Sequence, residues 1–178
     1  EAAIYGPKLD FMAKNAAGRQ WQVATIQLDL NQPERFDLTC INEKGEKERI
    51  VMIHSAITGS FERCIAVLLE HLGGALPTWL SPVQVQVLPI GEEQHEYAEE
   101  VFSKLKEAGI RTEIDKSGET LAKRVRETKT MKIPYIIFIG KKEVVDNQVT
   151  LQSRTEEKTI DSITNIISKL TEEIRTRA

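Results

Sequence analysis

Apolar and polar residues alternate along much of the first part of the chain, a pattern typical of strands. The segments "IYGPKLDFMAKN" and "QWQVATIQLDLN" predict two strands joined by a turn at "NAAGRQ". The segments "RFDLTCIN" and "RIVMIHS" flank a polar, glycine-containing tip, "EKGEKE", and predict a second pair. Consecutive strands with short polar turns indicate an antiparallel sheet.

The period then changes to that of a helix at residues 60–72. Its apolar residues recur at helical spacing and share one face: Phe61, Cys64, Ile65, Leu68, Leu69 and Leu72. Gly73 and Gly74 end this helix, and because the prolines beyond them resist continuation, we place a domain boundary near Leu80. A small sheet with one helix makes a poor closed domain, so residues 1–80 are predicted to be the end of a larger one.

After this boundary, strands and helices alternate. The predicted order is β-α-β-α-β-β-α, in the segments "VQVQVLPI", "EEQHEYAEEVFSKLKEAG", "IRTEID", "SGETLAKRVRETKTM", "IPYIIFIG", "NQVTLQSR" and "TIDSITNIISKLTEEIRTRA". The second helix is predicted to be capped near Ser117, and the closing helix to face inward with Ile160, Ile163, Ile167, Leu170 and Ile174. Strands separated by helices predict a parallel or mixed sheet covered by helices, so residues 81–178 form an α/β domain.

Composition and charge narrow the function classes. The chain has 178 residues, 40% hydrophobic and 29% charged, and its net charge of −3 gives no global basic field for nucleic acid or anionic membranes. No apolar run approaches the ~20 residues of a membrane helix, so we expect no membrane association. Cys40 and Cys64 fit no metal or redox spacing and favour a reducing compartment. Because the sequence starts with Glu1 rather than Met, we expect it to begin inside a larger protein.

One local stretch is basic. Residues 116–132 carry six basic and two acidic side chains, most of them on the second predicted helix of the α/β domain. Such a face would attract RNA phosphates in a salt-dependent way. A solvated helix face with no partner explains the same run equally well, and both interpretations stay open.

Polar residues cluster in the stretch "VMIHSAITGSFERCIAVLLEHLGG", at residues 51–74. His54 is either a metal ligand or catalytic residue, or a structural histidine at a strand end. Arg63 lies in the first helical turn after Ser60, where a guanidinium binds phosphate well. The alternative is an exposed arginine paired with the neighbouring Glu62.

Two further polar residues lie on the first predicted strands. Lys8 follows a Gly-Pro turn, where it reaches a carboxylate or phosphate, or is simply solvated. Gln27 lies in mid-strand between Ile26 and Leu28, and faces either a polar pocket or solvent.

Taken in order, the segments "EAAIYGPKLDF", "TIQLDLNQPERFDL", "VMIHSAITGSFERCIAVLLEH", "LPTWLSPVQVQVLPI", "AGIRTEID" and "KIPYIIFIGKKEV" resemble the C-terminal part of threonyl-tRNA synthetases. The resemblance implies that residues 1–80 are the end of a class II antiparallel-sheet catalytic domain, with motif 3 at about 51–74. Residues 81–178 would be a mixed-sheet α/β anticodon-binding domain. The family joins threonine and ATP to threonyl adenylate and transfers the threonine to its tRNA.

The same resemblance assigns roles in the first domain. It implies that Lys8 and Arg63 act in catalysis, with Arg63 against the ATP. Tyr5, Gln27 and Ser60 would line the pocket for substrate and ATP. His54 would be one of three protein ligands to a Zn²⁺ ion that recognises threonine. The family also uses Mg²⁺ with ATP, forms homodimers and works in the cytoplasm.

In the second domain, the resemblance maps anticodon-binding positions onto Gly118, Lys132, Glu143 and Gln152. Only Glu143 matches the residue usual in the family, since the other three positions usually hold asparagine, arginine and arginine. Lys132 keeps the charge without the planar fork that reads bases. We expect Arg154, two positions on, to replace the arginine missing at Gln152.

The sequence also departs from the family in its first domain. Ser55 stands where an arginine is usual, and Ala24 where a glycine is usual. The other zinc ligands and motifs 1 and 2 would lie upstream of Glu1, so we expect this chain to be inactive and to bind none of these cofactors alone. The alternative function is a non-catalytic module that binds tRNA or a protein. The coding sequence upstream of Glu1 would distinguish the two.

Our first prediction concerns zinc. We expect His54 to bind no zinc tightly in this chain, because one ligand is not a site and zinc needs three or four. Chelator-washed protein should therefore contain no stoichiometric zinc by elemental analysis. One zinc per chain, lost in His54→Ala but kept in His71→Ala, would contradict this.

Overall fold

A computed structural model describes residues 2–15 and 18–177 of the chain. By its internal contacts the chain divides into two units, Glu1–Gly73 and Gly74–Ala178. Antiparallel strands dominate the first unit, and a mixed sheet with helices forms the second, which confirms the predicted fold class.

The first unit contains an antiparallel sheet of order β1-β2-β3-β6, a separate hairpin and two helices. In chain order its elements are β1 (Ala2–Ala3), β2 (Gly6–Lys14), β3 (Gln20–Asp29), α1 (Gln32–Arg35), β4 (Thr39–Ile41), β5 (Lys47–Arg49), β6 (Met52–Ala56) and α2 (Phe61–Leu72). The predicted pair of β2 and β3 is present, with an irregularity in register between Phe11 and Met12.

The second pair of strands differs from the prediction. The strand across the hairpin tip from β4 is β5, and not the apolar segment at residues 50–55. That apolar segment instead gives β6, which pairs with β3 and completes the main sheet. The tip is closed by the side chain of Asn42, whose Oδ1 accepts the N–H groups of Lys44 and Glu46. The three residues of β5 are all exposed and polar, so no apolar alternation marked this strand.

Helix α2 begins and ends close to where the sequence places it. Ser60 Oγ accepts the N–H of Arg63 at 3.2 Å, and Gly73 takes the left-handed conformation (φ 57°) that ends the helix. None of its residues is fully buried. The face of the main sheet that carries Leu9 and Ile26 is also exposed. Among the described residues, the first unit therefore has no closed hydrophobic core.

The second unit carries a five-stranded sheet of order β11-β10-β9-β7-β8. Its elements are β7 (Val85–Pro89), α3 (His95–Glu107), β8 (Thr112–Ile114), α4 (Leu121–Thr130), β9 (Tyr135–Ile139), α5 (Lys141–Asp146), β10 (Val149–Ser153), β11 (Lys158–Asp161) and α6 (Ile163–Thr176). Strands β7, β8 and β9 are parallel, while β10 and β11 are antiparallel. The core joins strand residues such as Val87 and Ile137 to Val101 of α3 and Leu170 of α6.

Three details of this unit correct the sequence analysis. Helix α5 and strand β11 were not predicted, because both are short and mostly exposed. Helix α4 is capped by Thr120 and not by Ser117. The closing helix begins only after Ser162, whose Oγ accepts the N–H of Asn165. Ile160 consequently lies in β11, where 64% of it is exposed, and not on the inward helix face.

The segment between the two glycines and β7 belongs with the second unit by its contacts, whereas the sequence places the boundary near Leu80. Glu173 of α6 accepts hydrogen bonds from Thr78 Oγ1 at 2.5 Å and from Tyr135 Oη at 2.6 Å. The backbone of Thr78 also accepts the side-chain amide of Gln84. Burial raises the pKa of the Tyr135 hydroxyl and the Glu173 carboxylate raises it further, so this phenol stays a donor.

Because Thr78 is buried, removing its acceptor should be costly. We expect Glu173→Ala to lower the unfolding free energy of the second unit by roughly 1–3 kcal/mol, the cost of leaving buried donors unsatisfied. The neighbouring Glu172, which pairs with Arg175 in solvent, is a matched control. We expect Glu172→Ala to change stability by less than about 1 kcal/mol. Equal losses in the two variants, measured by urea unfolding, would refute a role for Glu173 in holding this segment.

Candidate functional site

Three of the predicted pocket residues lie in one cross-strand row of the main sheet. Lys8 of β2 is the register partner of Gln27 of β3, which is also the partner of His54 of β6. The ring of Tyr5 lies beside this row, with its centroid 6.4 Å from that of His54. Sheet register therefore brings together Tyr5, Lys8, Gln27 and His54, which are scattered along the sequence.

A carboxylate at Asp10 holds the lysine end of the row. It lies 2.9 Å from Lys8 Nζ, and it accepts Thr25 Oγ1 at 2.5 Å and Gln22 Nε2 at 2.7 Å. The hydrogen bond from Thr25, followed by that from Lys8, lowers the pKa of the Asp10 carboxyl. Lys8 is thus held in place by an ionised partner.

A second carboxylate, Asp29, lies under the histidine end and is fully buried. Its Oδ1 accepts the backbone N–H groups of Asn31 at 3.0 Å and Gln32 at 2.9 Å, and its Oδ2 lies 2.7 Å from His54 Nε2. Burial alone would raise the pKa of Asp29, but the hydrogen bonds from Gln32, His54 and Asn31 outweigh it and lower the pKa. His54 is consequently fixed to the sheet by a charged acceptor.

Neither carboxylate was identified from the sequence. The available signal was strand periodicity: Asp10 lies two residues beyond Lys8, and Asp29 two residues beyond Gln27, so each shares a face with a predicted pocket residue. Using that signal required knowing which face of the sheet carries the site.

Gln27 occupies the centre of the row. Its Nε2 is buried and has no hydrogen-bond partner among the described residues. A buried amide without a partner costs roughly 1–3 kcal/mol. Of the two interpretations of Gln27, the polar pocket therefore fits the structure better than open solvent.

Ser60 and Arg63 lie at the other end of β3. Arg63 Nη1 is 3.5 Å from the carbonyl oxygen of Gln22, and its side chain lines a cleft of about 160 Å³ between β3 and α2. Within the described residues Arg63 has no ion pair, and none with Glu62, so its charge is available. Gly59 (φ 67°) allows this approach, because a Cβ there would meet the Gln22 carbonyl oxygen at 3.3 Å.

The two groups of residues are linked through Gln22. Its carbonyl contacts Arg63, and its side-chain amide donates to Asp10, which holds Lys8. Ser55, the position that differs from the family next to His54, alternates onto the opposite face of β6. Ala24 pairs with Phe11 at the last register before the irregularity.

The donor set for zinc is incomplete in the part of the chain that the structure describes. No group of three His, Cys, Asp or Glu side chains is assembled there. His54 itself suits a ligand, because one ring nitrogen is engaged by a carboxylate and the side chain is 48% exposed. The described residues thus fit one ligand position of a zinc site and do not complete the set.

The predicted anticodon positions fall at two edges of the second sheet. Gly118 follows β8 and Glu143 lies on α5 after β9, at the carboxyl ends of these parallel strands. Lys132 precedes β9 and Arg154 follows the antiparallel β10, at the opposite edge, where both line a cleft of about 250 Å³. Gln152 lies within β10 and is buried. The structure brings Lys132 and Arg154 together, but not with Gly118.

Arg154 has a structural role that the sequence did not indicate. Its Nε donates to the Lys132 carbonyl at 2.8 Å, its Nη1 donates to the Leu76 carbonyl at 2.6 Å, and its Nη2 also donates to Lys132. Burial lowers the pKa of the guanidinium. Lys132 is held in a left-handed conformation (φ 59°) that is unfavourable for a lysine, so Arg154 stabilises this turn.

Glu143 is also engaged within the protein. Its Oε2 accepts the N–H of Gly140 at 3.0 Å and its Oε1 accepts Thr150 Oγ1 at 2.8 Å, so it caps α5. Burial opposes its ionisation, but the hydrogen bonds from Thr150 and from backbone N–H groups lower its pKa below the usual 4.5. Ligand atoms reaching Glu143 would compete with these contacts.

Most of the positive charges in the basic stretch at residues 116–132 are paired or buried in the folded chain. Lys116, Lys123 and Lys129 pair with Glu99, Glu119 and Glu156. Arg124 is buried and donates to the carbonyls of Asp115 and Pro89. Among the described residues, Arg126 and Lys132 are the two members of the run that are both exposed and without a carboxylate partner.

Two family models match the chain. The class II tRNA synthetase core domain (G, H, P, S and T) matches residues 1–72. The anticodon binding domain matches residues 84–174, which is more than half of the chain.

Individual relatives and a solved structure support the matches to the two family models. The chain is 49% identical over its whole length to the threonine–tRNA ligase of Caldanaerobacter subterraneus subsp. tengcongensis, of which it covers 28%. It is 53% identical over 86% of its length to the threonine–tRNA ligase catalytic subunit of Metallosphaera sedula, again covering 28%. Its fold matches the RNA binding domain of threonyl-tRNA synthetase from Cryptosporidium parvum with a TM-score of 0.90 and 41% identity, covering 97% of this chain and 44% of that one. The chain belongs to the threonine–tRNA ligase family.

Within this family the chain is homologous to the C-terminal part of the ligases. It spans about 28% of the length of the first two relatives. The resemblance identified from the sequence is thereby confirmed, as is the class II assignment. No helix in the described part of this ligase segment is long and apolar enough to cross a membrane.

The carbonyl contacts of Arg154 lead to a stability prediction. We expect Arg154→Lys to lower the unfolding free energy of the second unit by about 1.5–3 kcal/mol, because an ammonium cannot fork onto two separated carbonyls. Arg126→Lys, on an exposed face of α4, is the matched control and should stay within about 0.5 kcal/mol. If urea unfolding gives similar values for both variants, Arg154 does not hold the turn at Lys132.

Proposed function

We propose that this chain is the segment of a threonine–tRNA ligase that supplies one wall of the threonine-activating site and the tRNA anticodon-binding domain. The observation that carries the proposal is the cross-strand row of Lys8, Gln27 and His54, backed by the carboxylates of Asp10 and Asp29. Such a row gives a cation, a neutral donor and an imidazole on one rigid surface.

Each member of the row has a chemical task in this proposal. Lys8 and Arg63 balance the phosphate charge of Mg²⁺-bound ATP as adenylate forms, an effect that depends on cations fixed in advance. Gln27 offers its unsatisfied amide N–H to the substrate. Tyr5 and Ser60 border the same pocket.

His54 would be one ligand of a zinc ion. When bound, such an ion coordinates a β-hydroxyl, which threonine has and valine lacks, and so provides discrimination that apolar packing cannot. This chain contributes the imidazole and its orientation, and the further ligands would come from outside the described residues.

The remaining assignments follow from the family. We place motifs 1 and 2, the homodimer contact and a cytoplasmic location with the complete ligase, and we take this chain to be inactive alone. In the second unit, Lys132 and the cleft beside it face the anticodon, with Gly118, Glu143, Gln152 and Arg154 as further candidate positions.

The second candidate function is a binding module without chemistry. The observation that favours it is the neutralised basic run, together with the changed residues at Gly118, Lys132 and Gln152. A module of this kind would bind RNA weakly or bind a protein instead.

Titration with two RNAs separates the candidates. We expect the chain to bind threonine tRNA more tightly than an unrelated tRNA, with a preference that survives physiological salt, as base contacts do and phosphate contacts do not. Fluorescence anisotropy at low and physiological salt measures both. Weak binding that is equal for the two RNAs and lost with salt would favour the module.

A pair of lysine variants tests which surface of the second unit binds the anticodon. We expect Lys132→Ala to weaken binding of threonine tRNA by about 1–3 kcal/mol, as loss of a base contact does. Lys141, exposed on α5 and paired with Glu93, is the control, and Lys141→Ala should leave the preference unchanged. If Lys141→Ala weakens binding and Lys132→Ala does not, the anticodon does not bind at the Lys132 cleft.

A further inference from the structure

The carboxylate of Asp29 contacts one of the two ring nitrogens of His54, Nε2, at 2.7 Å. We propose that Asp29 is a positioning residue that fixes the tautomer and direction of the His54 ring, so that Nε2 carries the proton and Nδ1 presents its lone pair as the ligating atom. The part that concerns a metal rests on the proposed function, whereas the tautomer itself does not.

The first support is the rigidity of Asp29. Its side chain is completely buried, and its Oδ1 is fixed by two backbone N–H groups, of Asn31 and Gln32, where β3 ends and α1 begins. These bonds leave Oδ2 pointing at His54 Nε2, 2.7 Å away. The carboxylate therefore cannot turn toward another partner without breaking its hydrogen bonds to the backbone N–H groups of Asn31 and Gln32.

The second support is the register of the two strands. His54 is opposite Gln27, and Asp29 is opposite Met52, so Asp29 and His54 are diagonal neighbours on one face of β3 and β6. Diagonal side chains lie within reach of an imidazole. Both residues belong to paired strands and not to loops, which suits a group that must hold a fixed direction.

The tautomer then follows from hydrogen-bonding chemistry. An ionised carboxylate only accepts hydrogen bonds, so Nε2 of His54 must donate. In a neutral imidazole the other nitrogen, Nδ1, then carries a lone pair and no proton. Metal-binding histidines commonly donate their second N–H to a carboxylate in this way, which fixes the ring and raises its basicity as a ligand.

The test uses the 178-residue chain and needs neither metal nor activity. Long-range ¹H–¹⁵N spectra of the imidazole rings distinguish Nε2–H, Nδ1–H and doubly protonated histidines, and the tautomer is assigned from a spectrum of a pH series in which the His54 ring carries one proton. We expect wild-type His54 to be almost entirely Nε2–H, with a ring proton protected from exchange.

The decisive variant is Asp29→Asn. Its Oδ1 can still accept from Asn31 and Gln32, which leaves the amide NH₂ facing His54 Nε2. Because that group donates, it should reverse the ratio of tautomers, so that Nδ1–H becomes the major form. The same change from Asp to Asn in the catalytic triad of serine proteases leaves the geometry intact but gives the catalytic histidine the wrong tautomer.

Two controls accompany the variant. Asp10→Asn makes the same change on the same sheet face without contact to His54, and it should leave the His54 tautomer unchanged. His71 and His95, which lie outside the site, report in the same spectra and should not change in any variant.

The outcomes of the tautomer measurement are independent of those of the tRNA titration. An unaltered tautomer ratio in folded Asp29→Asn would overturn the proposal, as would a wild-type His54 that is Nδ1–H or mixed. If Asp29→Asn does not fold, the wild-type measurement decides, since a protected Nε2–H is required and an exchanging or averaged ring contradicts the proposal. Loss of tRNA preference with the expected tautomer would instead refute the proposed function alone.

Discussion

The arrangement of the first unit depends on the register of β3 between β2 and β6. That register aligns Lys8, Gln27 and His54, and a slip of β3 by one residue would turn Gln27 to the opposite, apolar face of the sheet, away from the other two. Two buried or half-buried carboxylates, Asp10 and Asp29, hydrogen-bond across the strands and favour this alignment over its neighbours. The same contacts that set the register therefore also set the direction of the charged groups in the site.

The second unit uses its positive charge differently. Three arginines, Arg111, Arg124 and Arg154, donate to backbone carbonyls at the ends of strands or loops instead of facing a carboxylate. Each satisfies acceptors that an irregular backbone would otherwise leave unpaired. These guanidiniums fix the geometry of loops, so their hydrogen-bond donors are engaged within the protein. Under the proposed function, RNA recognition by this unit would depend on the shape of a few clefts and on Lys132, more than on a general electrostatic field.

The sequence predicted what periodicity can reveal and missed what depends on tertiary contacts. Strands β2 and β3, helix α2 and the alternation of the second unit all carry strong patterns, and all are present. The exposed strand β5 carries no apolar face, and the turn before Ser162 looks continuous with α6 in sequence. Motif resemblance found His54, but only the register of β3 and β6 reveals Asp29 beneath it. Arg154 was assigned to RNA because it lies two positions beyond Gln152, where the family usually has an arginine. Its contacts with the carbonyls of Leu76 and Lys132 could not be predicted, because Leu76 and Lys132 are distant from it along the chain.

The contrast between the units has a calorimetric consequence. The buried hydrophobic residues of the described chain all lie in the second unit, whereas the sheet face with Leu9 and Ile26 and much of α2 already contact water. Heat capacity rises on unfolding mainly because apolar surface becomes hydrated. The first unit has little such surface left to hydrate, so its unfolding would raise the heat capacity only slightly. The heat-capacity step in a scan of this chain would chiefly report the second unit, and it would say little about the row of Lys8, Gln27 and His54.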